Sequence, residues 1–144
     1  MRAREWLAVF VLFALGGCAV ADVGPLAAEG RANEVAAQLR NQGRTFRVRG
    51  VVESAGLRDV EHLELHGAPF SATGDRVVER QPYIRLRDTA GQSADLLVCY
   101  FEARDATGLG GMATGMAVTV TGELLRYDRA NDQFLVVLRH CALN

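Results

Sequence analysis

From residue 44 onward, the hydropathy of the chain alternates with a period of two residues. Phe46, Val48 and Val52 alternate with Arg47 and Arg49, which is the pattern of a strand with one buried face. Four further segments have strand character, and one of them is apolar nearly throughout, as expected for a strand covered on both faces. The five predicted strands lie at residues 46–53, 83–88, 94–102, 117–127 and 133–141. The pattern therefore predicts a mainly β domain.

A glycine-rich connector separates the third predicted strand from the fourth. It spans residues 103–114 and has room for one short helix. Five strands with a long connection at this point are typical of an OB-fold, a small and partly open Greek-key barrel. A β-sandwich is the alternative that the strand pattern alone leaves open.

Cys99 and Cys141 favour the barrel. In an OB-fold the third and fifth strands lie side by side and run parallel, so their carboxyl ends are close together. Each of these two cysteines stands near one of those ends. We therefore predict a Cys99–Cys141 disulfide, of the kind that persists in oxidising compartments, within a five-stranded OB-fold barrel.

An amphipathic helix is predicted before the first strand, over residues 25–43. Pro25 suits the first turn of a helix and Gly43 suits its end, while Gly30 weakens it. The apolar positions recur at helical spacing: Ala28, Ala32, Val35, Ala36 and Leu39. We expect this face to pack on the barrel; the alternative is that it lies on a membrane surface.

The amino terminus has the features of an export signal. Arg2 and Arg4 precede an apolar run over residues 6–15, and small residues then lead to Cys18. The sequence Leu-Gly-Gly-Cys at residues 15–18 resembles the lipobox of bacterial lipoproteins. We therefore predict a signal peptide over residues 1–17, a lipid on Cys18 and a tether over residues 18–24.

Two other outcomes are possible for this terminus. Residues 19–21 have the small-x-small form of a soluble-export cleavage site, so cleavage after Ala21 would release a soluble periplasmic domain. A transmembrane helix is disfavoured because the apolar run is shorter than the roughly 20 residues that it requires. Ala19 is not the aspartate that retains lipoproteins in the inner membrane, so the resemblance implies the periplasmic side of the outer membrane.

Composition indicates one domain without a strong charge preference. The chain has 144 residues and a net charge of −1, and all 16 of its basic residues are arginine. Such a balance gives no overall attraction to nucleic acid or anionic lipid. The barrel is expected over residues 44–144, with an insertion over residues 56–80 between the first two strands.

Six segments carry a resemblance to a known family: residues 33–37, 46–54, 82–86, 98–101, 118–122 and 136–141. Together they resemble the tRNA-anti-like OB-fold family, which is found largely in short exported bacterial proteins and lipoproteins of unknown role. The resemblance covers most of residues 33–143 and departs from the family over residues 56–80. It implies a barrel shape without an established activity.

The predicted insertion contains one candidate metal site. His62, Glu64 and His66 would share one face of a strand, and the two histidines would also align on a helix. Two imidazoles and a carboxylate are suitable ligands for a divalent metal. The order differs from the His-Glu-x-x-His pattern of metalloproteases. The alternative is a solvated edge hairpin, and a periplasmic metal-binding protein is the second function considered.

The first two strands carry a candidate binding face. Arg47, Arg49, Arg85 and Arg87 are predicted to point outward from neighbouring strands, with Tyr83 beside them. OB-folds hold single strands or glycans on such surfaces. The alternative is an ordinary solvated sheet face.

No catalytic motif stands out in the sequence. The serines lack a nucleophile motif, no pair of carboxylates has a suggestive spacing, and no cofactor is predicted. We therefore expect a binding or interaction module of the cell envelope, not an enzyme. Its partners would be the membrane, through Cys18, and an envelope protein or glycan. Nucleic-acid binding is the third function considered, and it is disfavoured.

Overall fold

The alternating segments form strands. The computed structural model describes residues 19–61, 78–91 and 93–144. The strands are β1 (Ala21–Asp22), β2 (Thr45–Glu61), β3 (Val78–Arg87), β4 (Leu96–Tyr100), β5 (Ala117–Ala130) and β6 (Gln133–Leu143). The helices are α1 (Val23–Ala32), α2 (Glu34–Asn41) and a 3-10 helix (Ala103–Gly111).

The strands form one sheet that closes on itself. Neighbours along the sheet are β1, β2, β3, β4, β6 and β5 in that order, and β5 pairs with β2 to complete the ring. β4 and β6 run parallel, whereas the other pairs of the ring are antiparallel. This is the strand order of an OB-fold barrel, so the predicted fold class is confirmed.

β2 is long enough to pair with two neighbours in succession. Its first half pairs with β5 and its second half with β3, and the register shifts between Val52 and Ser54. Such a β-bulge bends the strand and increases its twist. Gly50 lies just before the bulge, where an added Cβ would stand 2.8 Å from the Cβ of Leu86. A side chain would not fit there without displacing β3.

Helices cover both ends of the barrel. At one end α1 buries Val23, Leu26 and Ala27, which join the same apolar cluster as the inward side chains of the strands. At the other end the 3-10 helix contributes Leu109 to that cluster. The connector after β4 therefore contains the short helix for which the sequence has room.

The helix predicted over residues 25–43 is divided in two in the structure. The structure has two helices, which separate at Asn33, a residue with an extended backbone (φ −156°, ψ 94°). The Asn33 Oδ1 accepts a hydrogen bond from the backbone N–H of Ala36 at 3.1 Å and so caps α2. Helical spacing continues across the break, which is why periodicity alone does not reveal it.

A buried polar network fixes α2 to α1 and to the barrel. Asn41 is 1% exposed, and its Nδ2 donates to the Glu29 Oε1 and to the Tyr127 hydroxyl, both at 3.1 Å. The hydrogen bond from Asn41, with the Arg40 guanidinium nearby, lowers the pKa of Glu29 despite partial burial. The network holds the Tyr127 ring in a fixed position beneath the helices.

The segment predicted as a tether is largely part of the fold. Ala21 and Asp22 pair in parallel with Val48 and Arg49 of β2, and α1 begins at Val23, which is fully buried. The predicted tether over residues 18–24 is therefore too long. The small and polar residues of this segment do not form a pattern that predicts pairing with β2.

The boundaries of the predicted insertion also change. β2 and β3 remain paired as far as Glu61 opposite Val78, so both ends of the segment over residues 56–80 are strand. Residues 62–77 lie outside the described residues.

Candidate anion-binding face

The register of β2 and β3 directs the predicted arginines outward. Val48 and Val52 of β2, and Ile84 and Leu86 of β3, lie in the core with at most 1% exposure. Side chains alternate between the two faces of a strand, so the residues between them point away from the core. These outward residues are Arg47, Arg49, Tyr83, Arg85 and Arg87, and they define the arginine face.

The arginines of this face follow one another along the sheet. Val51 pairs with Arg87 and Ser54 pairs with Arg85, so Arg49 lies diagonally beside Arg87. Residues two apart on a strand are about 7 Å apart. The face is therefore a stripe that begins at Arg47, passes Arg49 and Arg87, and reaches Arg85.

Several arginines of this region have no ion-pair partner in the part of the chain that the structure describes. Among the residues that the structure describes, no carboxylate lies at ion-pair distance from Arg47, Arg85 or Arg87. Outside this face, Arg44 and Arg80 also lack a carboxylate at ion-pair distance among the described residues, whereas six other described arginines are paired. The paired arginines are Arg31, Arg40, Arg104, Arg126, Arg129 and Arg139. An unpaired guanidinium retains its donors for an external anion.

The nearby carboxylates neutralise this face only in part. Asp22 accepts from Arg49 Nε at 3.4 Å and from the Thr89 hydroxyl at 3.1 Å. Asp88 is buried, and it accepts from the backbone N–H of Gly24 at 3.2 Å. Asp22 therefore affects Arg49 and not Arg47, while Asp88 is directed towards α1.

Arg58 is a further member of this surface that the sequence analysis missed. Beyond the bulge, Gly56 of β2 pairs with Tyr83 and Arg58 pairs with Gln81. Because Arg58 is two residues from Gly56, it lies on the same side of the sheet as Tyr83. Arg58 is exposed and has no ion-pair partner among the described residues. The prediction of an insertion from residue 56 hid this continuation of the strand.

The aromatic residues of the outer surface are not open platforms. Tyr83 is half-buried, and its Cε1 lies 3.7 Å from the Cβ position at Gly56. Tyr100 is 4% exposed in an apolar cluster that covers β4 and β6 on their outer side. The other members of this cluster are Val60, Leu96, Val98, Leu135 and Val137. On the β4 side of Arg85, which pairs with Val98, the polar stripe therefore ends against an apolar surface.

The two core cysteines lie beside each other as the barrel predicts. Both are buried and both are free thiols. Burial, together with a hydrogen bond to the Cys141 thiol, raises the pKa of the Cys99 thiol well above its ordinary value. The predicted proximity is therefore present, whereas the structure contains no bond between the sulfurs; the disulfide stays a prediction.

The predicted metal site cannot be placed. His62, Glu64 and His66 lie outside the described residues. Within residues 19–61, 78–91 and 93–144, no group of three or more His, Cys, Asp or Glu side chains is arranged to hold a metal ion.

Two shallow grooves lie on the described surface. One, of about 290 Å³, lies beside Arg49 and is lined mainly by Met112, Val118, Thr119 and Leu143. The other, of about 190 Å³, lies at the β5–β6 turn between Arg31 and Arg129. Both of those arginines are already ion-paired and lie over the Phe134 ring. Neither groove combines an enclosed shape with free polar groups.

None of the described helices is both long and apolar enough to cross a bilayer.

The comparisons with known proteins support the fold. No family model matches the chain, and comparison with curated proteins gives no significant match. Membership of the tRNA-anti-like family therefore stays a prediction. The chain is similar to the solved structure of a lipoprotein from Klebsiella pneumoniae for which nucleic-acid binding has been proposed. The TM-score is 0.66 over 91% of this chain and 95% of that one, at 14% identity. The two proteins share one fold.

Proposed function

We propose that this protein is a lipid-anchored binding module of the cell envelope, and that its arginine face binds an anionic ligand. The observation that carries the proposal is the concentration of unpaired arginines on the outer side of β2 and β3. Arg47, Arg58, Arg85 and Arg87 have no carboxylate partner within the described chain. The ligand class is a phosphate- or carboxylate-bearing glycan or protein on the periplasmic side of the outer membrane.

Chemistry favours such a ligand over a neutral one. A guanidinium group offers five donors in a planar fork that matches carboxylate and phosphate oxygens. Arg85 and Arg87 are two residues apart on one rigid strand, so their separation is fixed before any ligand binds. The near-zero net charge of the chain means that attraction comes from this stripe and not from the whole molecule.

Support for the anchor comes from the sequence and from the comparison. The residues before Cys18 resemble a lipobox, and the chain has the fold of a lipoprotein. We assign no catalysis to this module.

Nucleic acid is the second candidate because the similar lipoprotein has been proposed to bind it. The phosphates of a single strand would suit the same arginines. However, base stacking contributes much of single-strand affinity, and it needs exposed aromatic rings. Tyr83 is half-buried and Tyr100 is buried, so the described face favours anions without bases.

Binding to three polyanions tests the proposal. The protein is titrated with polyphosphate, polyglutamate and oligodeoxythymidine at two salt concentrations. We expect salt-sensitive binding to polyphosphate or polyglutamate, weakened at least about tenfold by the double substitution Arg85→Gln and Arg87→Gln, because each contact to a charged group contributes about 1.5–3 kcal/mol.

Arg104→Gln is the matched control, because Arg104 is an exposed arginine of the 3-10 helix outside the face. A thermal melt of each variant establishes that the barrel is folded. Equal binding by the double variant and the control would contradict the proposal. Tighter binding to oligodeoxythymidine than to either of the other polyanions would favour the second candidate.

A further inference from the structure

The connection between the predicted lipid and the folded domain is very short. Ala21 is already paired with β2, and Val23, the first residue of α1, is fully buried. Only residues 19 and 20 separate Cys18 from this pairing. An extended chain covers at most about 3.6 Å per residue, so the Cα atoms of Cys18 and Ala21 are no more than about 11 Å apart. A lipid on Cys18 would therefore hold the domain directly against the bilayer.

The direction of β1 determines which surface lies nearest to the anchor. β1 runs parallel to β2 with Ala21 opposite Val48, so the preceding residue, Val20, leads back alongside Arg47. Val20 is 42% exposed. The chain thus leaves the domain at the Arg47 end of the arginine face, while Arg58 lies beyond the bulge at the far end of β2.

Charge at this end complements a phospholipid surface. Arg47 is exposed and has no ion-pair partner among the described residues. The nearby Asp22 forms its ion pair with Arg49. Arg44 belongs to the same end, where its guanidinium lies 5.6 Å from the centre of the Phe46 ring. The headgroup layer on each side of a bilayer is about 5–7 Å thick, which is within the reach of an arginine side chain.

We propose that Arg47, with Arg49 beside it, binds phospholipid headgroup phosphates and so fixes the orientation of the anchored domain. This rests on the proposed function, because it requires the lipid on Cys18. It divides the arginine face into two parts. Arg47 and Arg49 hold the membrane, while Arg58, Arg85 and Arg87 extend away from the bilayer and stay available to a ligand.

Chemical modification of individual arginines tests this orientation on the full lipidated protein. The protein is placed in vesicles of phosphatidylethanolamine and phosphatidylglycerol or in micelles of an uncharged detergent. It is then treated with phenylglyoxal in phosphate-free buffer, and the rate at each arginine is measured by peptide mass spectrometry. We expect Arg47 to react at least about fivefold more slowly in vesicles than in micelles. The attraction of one basic residue to an anionic surface changes its binding equilibrium by about that factor. Arg58 and Arg104 should react equally in both.

Two variants make the test specific. Arg49 should also react more slowly in vesicles than in micelles, and Arg47→Glu should restore its reactivity in vesicles because the neighbouring contact with phosphate is lost. Arg104→Glu is the charge-matched control and should leave the protection of Arg47 intact. Equal protection of Arg47 and Arg58, or protection of Arg58 alone, would overturn the proposed orientation.

The same digest separates this inference from the function on which it rests. The mass of the amino-terminal peptide shows whether Cys18 carries lipid. A lipidated Cys18 with unprotected Arg47 would overturn the inference and leave the anchored module intact. A Cys18 without lipid would overturn both.

Discussion

Gly30 gives a direct test of how α1 packs on the barrel. A Cβ added at this position would stand 2.5 Å from the Cδ1 of Tyr127 and 2.7 Å from the Cε1 of Phe134. Other contacts hold both rings in place. The Tyr127 hydroxyl accepts a hydrogen bond from Asn41, and the Phe134 ring is buried against Tyr127 at 5.7 Å between centroids.

Two effects of Gly30→Ala oppose each other, and their sizes decide the sign. Alanine is better than glycine inside a helix by about 1 kcal/mol. Forcing an extra carbon into a packed core costs about 1–3 kcal/mol. Because the new carbon would meet two rings at once, we expect the packing cost to prevail. The free energy of unfolding should fall, by up to about 2 kcal/mol.

Urea unfolding of the wild type and two variants measures this balance. Ala28→Gly is the control: Ala28 is exposed on the same helix, so this change should cost about 1 kcal/mol through helix propensity alone. If Gly30→Ala instead raised the unfolding free energy by about 1 kcal/mol, only propensity would act at Gly30. The close packing of α1 on Tyr127 and Phe134 would then be wrong.

Three further predictions concern ionisable and covalent groups. Asp95→Asn should lower the unfolding free energy at pH 7 by about 1–3 kcal/mol, because the Asp95 carboxylate accepts hydrogen bonds from Arg31 and from a backbone N–H of β6. Burial opposes ionisation of Asp95, but these hydrogen bonds outweigh it and lower its pKa. Its contribution is therefore present above the unfolded pKa of about 3.9 and is lost as the pH falls through the folded pKa; acid titration of urea midpoints should show a weaker pH dependence in the Asn variant. Protein isolated from an oxidising envelope should contain a Cys99–Cys141 disulfide, formed when a dithiol oxidoreductase accepts two electrons and the two thiols lose their protons. Alkylation of both thiols after denaturation without a reductant would contradict this. Reduction of that bond should lower stability by about 4 kcal/mol. Finally, Cys18→Ala should abolish incorporation of labelled fatty acid, whereas unchanged labelling would refute lipidation at Cys18.

Much of the barrel could be predicted because its strands have a simple physical signature. A strand with one buried face must alternate, and Phe46 to Val52 shows that alternation clearly. The parallel pairing of β4 with β6 followed from the strand order, and it accounts for the proximity of Cys99 and Cys141. These inferences depend only on which side of each strand is buried.

The helix break, the pairing of β1 and the length of β2 could not be predicted in the same way. Asn33 interrupts the backbone without interrupting the apolar spacing, and a two-residue strand is too short to show a period. Beyond the bulge at Val52 and Ser54 the alternation changes phase, so the sequence pattern predicts an insertion where β2 continues. For the same reason Arg58 was not assigned to the arginine face.

An NMR titration that follows arginine side chains tests anion binding by the arginine face most directly. Arginine Nε–Hε signals of the isotope-labelled protein are recorded while a short-chain polyphosphate is added. We expect the signals of Arg85 and Arg87 to shift first and saturably, while those of Arg104 and Arg129 stay in place. Shifts centred on Arg129 at the β5–β6 turn, or no saturable shift at Arg85 and Arg87, would contradict an anion-binding role for the arginine face.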